Sequence, residues 1–280
     1  MNSNYRGSVP NFQDDGLSIT AAEPWFKVKV QLVQSYLQAF MMNAFQKADE
    51  VVFVDLFAGS GLYSIGYQKA IFASSGFQAM SSSFPFTKWI FCERHEEQLK
   101  ALDHRIRKYF PGLDTEIIDT SERYMDQLLA AIPISKPGRR VAVICLVDAF
   151  SLDVPIATIN KLASMGCSVL MPFTFVLNQR MSCRYYVEEN PEILRRFLGD
   201  QNIDKLKDLE SNLHFYKRLV RLYQNSMLVT GLNAAISTHR LQSRMMELPA
   251  YQVGFFSRQF STVAVQKEVN GSEFFQYELF

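Results

Sequence analysis

The chain has 280 residues, of which 48% are hydrophobic and 20% are charged, a balance typical of folded globular proteins that excludes disorder. This length suggests one or two domains. With 29 Lys and Arg against 28 Asp and Glu, the net charge is only +1, which excludes attraction to nucleic acid or membranes by overall charge.

The N-terminal residues are polar and rich in Ser, Asn and Asp, so residues 1–22 are interpreted as a flexible arm. They lack the basic and apolar parts of a secretory signal, and no apolar stretch reaches the length of a membrane span. We therefore expect a cytoplasmic protein without membrane contact. The four cysteines form no CxxC pair, which favours buried free thiols over disulfides or a metal site.

An amphipathic helix is predicted after the arm, because apolar residues recur at three- and four-residue steps from Pro24 to Met41. Apolar runs typical of buried parallel strands follow. They cover residues 51–56, 89–92, 116–118, 141–147 and 168–173. Helical patterns separate several of these runs, at residues 96–108, 121–132 and 156–165. The alternation predicts an α/β domain over residues 23–269 with a Rossmann-like, doubly wound, mostly parallel sheet.

Two regions depart from this alternation. Residues 67–88 contain a Ser-rich stretch where a short connection is expected, and are interpreted as an insertion, either a surface loop or a lid. Residues 178–248 form a mostly helical accessory region, with helices predicted at 191–198, 203–209 and 212–223. A last strand at 251–256 and a helix at 262–269 precede an aromatic C-terminal tail, residues 270–280.

A glycine turn, DLFAGSG, follows the first predicted strand at residues 55–61. Glycines permit a sharp turn and a close ligand, and a helix starting after the turn would offer backbone amides. The dinucleotide pattern GxGxxG is absent, which disfavours a nicotinamide oxidoreductase. DLFAGSG instead resembles motif I of class I S-adenosylmethionine-dependent methyltransferases, and a chance glycine-rich turn is the alternative. The resemblance implies ligand contacts from Asp55, Phe57, Ala58, Gly59 and Gly61.

Two acidic residues end the next two predicted strands. Glu93 closes WIFCE and is predicted to accept hydrogen bonds from two ribose hydroxyls, because a carboxylate offers two charged acceptor atoms. The alternative is an ordinary surface carboxylate. Asp119 is placed to meet the adenine edge, to cap the helix that follows, or to do both.

Most of the chain, from about Pro24 to Val269, resembles the three-Cys-motif partner family, a group of methyltransferase-like bacterial proteins. The likeness runs from KVQLVQSYL (29–37) through DLFAGSG and VDAFSLDVP (147–155) to RFLGD (196–200) and the strand at 251–256. It implies a methyltransferase that uses S-adenosylmethionine, with a nearby-encoded three-Cys-motif protein as a candidate partner.

The segment VDAFSL is the predicted acceptor site, because amino-methyltransferases present a side-chain oxygen and a backbone carbonyl to the acceptor amine at this strand end. Asp148 and Phe150 are predicted to orient the acceptor. Ala149 and Ser151 replace the family's Pro and Gly. Two hypotheses follow: an enzyme with a different substrate class, or a catalytically inactive methyltransferase-fold protein that acts as a binding partner or sensor in a nucleic-acid or defence complex.

Basic residues and tyrosines are mixed in the accessory region. Such mixtures hold phosphates and stack on bases, which makes nucleic acid the leading candidate acceptor. A solvated helix face is the alternative, because acidic residues are interspersed. The basic residues are Arg180, Arg184, Arg195, Arg196, Lys217, Arg218, Arg221, Arg240 and Arg244.

Overall fold

The computed structural model describes residues 10–82, 84–121, 124–207, 209 and 211–271. The chain divides into two compact units, Met1–Leu146 with Lys267–Phe280, and Val147–Gln266. The predicted α/β domain, residues 23–269, contains parts of both units. The predicted tail lies outside the described residues from 272 onward. Within the described ranges, no helix combines the length and apolar character needed to cross a membrane.

The first unit contains four of the six predicted strands, and each of these four lies within about one residue of an observed strand. Three of its four helices lie within about three residues of the predicted positions, and the fourth falls in the predicted insertion. In chain order its elements are β1 (Thr20–Ala22), α1 (Trp25–Ala44), β2 (Glu50–Asp55), β3 (Leu62–Ile65), β4 (Ala70–Ala73), α2 (Ser75–Ser81), β5 (Lys88–Glu93), α3 (Glu96–Tyr109), β6 (Thr115–Asp119), α4 (Tyr124–Ala131) and β7 (Val141–Leu146).

Four strands of this unit run parallel in the order β6-β5-β2-β7. In β2 and β5 every residue after the first is buried, as expected of parallel strands covered on both faces. Asp55 pairs with Phe91 and Leu146 in the strand register, and Glu93 pairs with Asp119. The three predicted acidic residues therefore end neighbouring strands at the carboxyl edge of the sheet, where ligands of open α/β folds bind.

A second, three-stranded sheet lies in the same unit, in the order β1-β3-β4. Strands β3 and β4 form an antiparallel hairpin, and β1 pairs parallel to β3. Part of the predicted insertion, residues 67–88, thus forms β4 and α2. The predicted flexible arm, residues 1–22, differs from the structure in its described part, because residues 20–22 pair with β3 and residues before them contact α3.

The second unit holds the remaining elements of the large sheet. The elements are α5 (Ile156–Ser164), β8 (Ser168–Pro172), a π-helix at Tyr185–Glu189, α6 (Pro191–Leu198), a 3-10 helix at Asp200–Leu206, α7 (Asn212–Val229), β9 (Asn233–Arg240), β10 (Ala250–Ser257) and the start of α8 (Thr262–Gly271).

Strand β10 lies between β8 and β9 and runs antiparallel to both. The seven-stranded sheet has the order β6-β5-β2-β7-β8-β10-β9, which confirms the predicted Rossmann-like, mostly parallel architecture. The predicted accessory region, residues 178–248, is helical up to Val229 but also contributes β9, which the sequence analysis did not predict. In β9 only two of eight residues are buried, so its apolar signal is weak.

Candidate functional site

The glycine turn leaves the sheet directly after β2. The backbone N–H of Leu56 donates to the Leu146 carbonyl (3.0 Å) and that of Ala58 donates to the Cys92 carbonyl (3.0 Å). These bonds tie the turn to both strands that flank β2. Gly59 and Gly61 have φ angles of +60° and +82°, a region that side chains disfavour. The sharp turn predicted from DLFAGSG is thus present.

Glu93 faces this turn. Its Oε2 atom accepts a hydrogen bond from the Gly59 backbone N–H at 3.0 Å, while Oε1 accepts from the N–H groups of Arg94 (2.8 Å) and His95 (2.9 Å). The residue is 7% exposed, so it is not an ordinary surface carboxylate. A carboxylate offers roughly four acceptor positions, and these three donors leave one on Oε2, beside the turn. Its contact with a ribose stays a prediction.

The two glycines have different surroundings. A Cβ atom on Gly59 would meet only the Gln98 Oε1 atom, at an ordinary 3.6 Å, which leaves the face of this residue open. A Cβ atom on Gly61 would lie 2.4 Å from Cζ of Phe77. The phenyl ring of Phe77 therefore occupies the space next to Gly61. The space next to Gly59 is open, and we call it the cradle, because a ligand could approach the backbone there. The other predicted turn residues are Phe57, which is partly exposed, and Ala58, which is buried.

The chain after the turn differs from the expected strand–turn–helix. It runs into β3, and the next helix, α2, begins only at Ser75. Hence no helix start follows the turn directly, and backbone amides of such a helix do not contribute. The start of α2 returns to the turn instead, because the Ser74 N–H donates to the Gly61 carbonyl at 2.9 Å.

Asp55 lies beneath this returning segment. It is 3% exposed, and its Oδ1 atom accepts a hydrogen bond from the Phe57 N–H at 3.1 Å, which fixes the first step of the turn. A Cβ atom on Gly76 would lie 3.1 Å from Asp55 Oδ2, so the glycine lets the carboxylate and α2 approach.

Two buried polar atoms beside α2 have no hydrogen-bond partner among the described residues: Gln34 Oε1 and Ser75 Oγ. The two residues are neighbours, because the Gln34 amide Nε2 donates to the Ser75 carbonyl at 2.9 Å. Buried polar atoms are normally paired, and unpaired ones mark places where a ligand or water completes the bonding. Sequence reasoning missed both residues, since neither belongs to the turn motif.

Asp119 is exposed at the end of β6, and its Oδ1 atom accepts a hydrogen bond from the Ser121 N–H at 2.8 Å. This bond lowers the pKa of Asp119. Asp119 does not cap the following helix, because α4 begins only at Tyr124, and the bond closes a local turn instead. Contact with an adenine stays a prediction.

Asp148 and Phe150 belong to the second unit. Asp148 is 5% exposed, and the Phe150 carbonyl accepts a hydrogen bond from the Val176 N–H at 3.1 Å. Three residues further along the chain, Asp153 forms an ion pair with Arg196 at 3.0 Å. The segment is therefore fixed by its neighbours, and its role toward an acceptor stays a prediction.

The four cysteines are free and buried, as predicted. Burial raises the pKa of the Cys92 thiol, which keeps it protonated and weakly nucleophilic. In the ranges that the structure covers, no group of three or more His, Cys, Asp and Glu side chains could hold a metal ion.

The comparisons with known proteins concern the fold. No family model and no curated protein matches the sequence. Similar solved structures include a Legionella pneumophila protein (8% identity, 86% of this chain, 89% of that chain, TM-score 0.48). Precorrin-6y C5,15-methyltransferase from Geobacter metallireducens is another (11% identity, 88% of this chain, 96% of that chain, TM-score 0.41). A third is magnesium protoporphyrin IX methyltransferase from Synechocystis, solved with bound S-adenosylmethionine (13% identity, 82% of this chain, 80% of that chain, TM-score 0.40).

With such low identities and TM-scores below 0.5, these similarities assign no cofactor and no substrate to this chain. The strand order of the sheet is a separate observation. A parallel block with the glycine turn after β2, and a strand near one edge, β10, that runs antiparallel to its neighbours β8 and β9, matches the predicted Rossmann-like fold of class I methyltransferases.

Proposed function

We propose that the protein is an S-adenosylmethionine-dependent methyltransferase. One observation carries the proposal: the carboxylate of Glu93, at the end of β5, lies 3.0 Å from the backbone nitrogen of Gly59, whose open face forms a cradle. A ribose hydroxyl needs an acceptor, and the remaining position on Glu93 Oε2, beside the bare backbone turn, supplies a charged one. When bound, the cofactor supplies an electrophilic methyl group on its sulfonium sulfur.

The neighbouring side chains suit the amino-acid end of such a cofactor. Its ammonium group needs acceptors, which the Asp55 carboxylate and Gln34 Oε1 provide, while the Ser75 hydroxyl can donate to its carboxylate. Asp119 is proposed to meet the adenine. Asp148 and Phe150 are proposed to orient the acceptor so that its lone pair faces the methyl group, which accelerates transfer by positioning.

We further propose, on the sequence resemblance alone, that the enzyme is of the three-Cys-motif partner type and works with a three-Cys-motif protein. Nucleic acid is the proposed acceptor. A specific surface supports this choice: helix α7 carries Lys217, Arg218 and Arg221 on one exposed face, and its 18 residues include no Asp or Glu. For a chain with a net charge of +1, this local excess of positive charge is marked.

Within the described residues, none of these three cations forms an ion pair. Lys217 and Arg221 are four residues apart on the helix, where like charges destabilise a helix by roughly 0.2–0.5 kcal/mol. Several other exposed arginines are neutralised locally, as in the ion pair of Arg184 with Glu188 (2.6 Å). A row of unpaired cations is the arrangement that phosphate groups require.

The binding of S-adenosylhomocysteine, measured by calorimetry, tests the proposed function. We expect saturable binding at one site per chain, with a dissociation constant at or below the micromolar range. An absence of heat at millimolar ligand would contradict the proposal. Transfer of a labelled methyl group to RNA, DNA or protein, lost in Asp148→Ala, then separates an active enzyme from an inactive methyltransferase-fold partner or sensor.

Charge reversal on α7 tests the acceptor class. We expect the triple variant Lys217→Glu, Arg218→Glu, Arg221→Glu to weaken binding of single-stranded RNA. Because each phosphate contact contributes about 0.7 to the slope of log affinity against log salt, the slope should fall by roughly 2. Fluorescence anisotropy across a salt series measures it. Arg184→Glu is the matched control, and an unchanged slope in the triple variant would exclude this face as a phosphate-binding surface.

A further inference from the structure

Arg105 is a fully buried arginine on α3, with a side-chain exposure of 0%. Its guanidinium grips Asp15 through two bonds, Nε to Oδ2 at 2.9 Å and Nη2 to Oδ1 at 2.6 Å. The remaining nitrogen, Nη1, donates to two backbone carbonyls, those of Ser18 (2.9 Å) and Ser60 (2.7 Å). One side chain therefore joins the N-terminal segment to the glycine turn.

The bond to Ser60 controls the orientation of one peptide unit within the turn. Ser60 stands between Gly59 and Gly61, whose backbone torsions are not restricted by a side chain. In a planar trans peptide the C=O and the following N–H point in opposite directions. Because Arg105 holds the Ser60 carbonyl, it also fixes the direction of the Gly61 N–H, which lies in the same plane and points away from Arg105.

The N-terminal segment has two further attachments. The ring of Phe12 packs against Tyr109 (centroids 5.1 Å apart) and against Phe77 (6.0 Å), the residue whose ring fills the space above Gly61. Strand β1 pairs with β3 directly after the turn. Residues before Asp15 and residues after it thus both pack against the surroundings of the glycine turn.

The ion pair between Arg105 and Asp15 stays charged at neutral pH. Hydrogen bonds from Arg105 lower the pKa of Asp15 to about 2. Since burying two charges is costly unless the geometry is excellent, this pair gives little net stability compared with apolar residues of the same size. Its distinctive contribution is a fixed orientation of the groups it joins.

We propose that residues 12–22 form a strap, held by Arg105 and Asp15, that positions the glycine turn for its ligand. Asp15 and Arg105 are positioning residues that do not touch the ligand. The proposal deepens the proposed function and rests on it only for the identity of the ligand. Part of the free energy of ligand binding would then depend on residues 12–22, which are distant in sequence from the glycine turn at residues 55–61.

The test compares Asp15→Asn with Asp14→Asn, an exposed neighbour. In Asp15→Asn an amide group replaces one carboxylate oxygen and meets an arginine N–H, so the grip on Arg105 is lost while the side chain keeps its size. We expect S-adenosylhomocysteine to bind about tenfold more weakly, within the range of coupling between linked sites. Hydrogen exchange of residues 57–62 in the free protein should accelerate about tenfold, and Asp14→Asn should change neither quantity.

Hydrogen exchange keeps this proposal separate from the proposed function. Faster exchange in the turn of Asp15→Asn, together with no ligand binding by the wild type, would retain the strap and reject the cofactor. Unchanged exchange and affinity in a folded Asp15→Asn protein would overturn the strap. Should Asp15→Asn fail to fold, Phe12→Ala, which loosens the same segment at a half-buried side chain, provides the same comparison.

Discussion

Replacing Gly61 by Ala should lower the free energy of unfolding by about 3 kcal/mol. A φ of +82° costs an L-residue roughly 1–2 kcal/mol. The added methyl group would also lie 2.4 Å from the Phe77 ring, and overpacking of this kind costs roughly 1–3 kcal/mol. Urea denaturation, with the midpoint and slope compared to wild type, measures the change.

Gly66→Ala is the matched control for this experiment. Gly66 has a similar φ of +72°, but nothing lies within 4 Å of the position where its Cβ would be. The free energy of unfolding of Gly66→Ala should therefore fall only by the backbone contribution, about 1–2 kcal/mol. The double variant Gly61→Ala, Phe77→Leu should recover part of the packing cost. Equal losses for Gly61→Ala and Gly66→Ala would show that Phe77 does not fill the space above the turn.

Replacing Glu93 by Gln should weaken the binding of S-adenosylhomocysteine by roughly 100-fold. Hydrogen bonds to a charged group contribute about 1.5–3 kcal/mol, and a loss of about 1.4 kcal/mol changes the affinity tenfold. One ribose hydroxyl bonded to the free position on Oε2, at the upper end of this range, accounts for a loss of this size. Calorimetry at matched protein concentration gives the ratio of dissociation constants.

Glu97→Gln, which changes an exposed carboxylate in the first turn of α3, is the control and should bind like wild type. Because Glu93 also accepts three backbone N–H groups, Glu93→Gln is expected to lose stability, and affinity must be measured where both variants are folded. A folded Glu93→Gln protein with wild-type affinity would show that Glu93 only caps the backbone.

The sequence predicts the parallel strands well for a simple physical reason. Strands such as β2 and β7 are buried along their whole length, so their composition is continuously apolar. The glycine turn and Glu93 are local features of those strands and are found with them. The hairpin β3–β4 escapes prediction because each of its strands has only four residues, and β9 escapes because only two of its eight residues are buried.

The supporting residues of the site have no local signal. Asp15 and Arg105 are 90 residues apart in the sequence, and nothing near either of them indicates its partner. Phe77 and Ser75 lie in a stretch interpreted as an insertion because of its serines. Those serines in fact start a helix, since the Ser74 hydroxyl accepts from the Phe77 N–H at 3.4 Å.

Each unit contains two buried thiols, and their reaction with a thiol reagent can report local opening of that unit. Cys92 and Cys145 lie in strands of the first unit, whereas Cys167 and Cys183 belong to the second, and all are 5% exposed or less. A thiol reagent reaches such a group only when the surrounding structure opens. Labelling rates resolved by peptide mass would therefore give the opening free energy of both units in one sample, without any engineered probe.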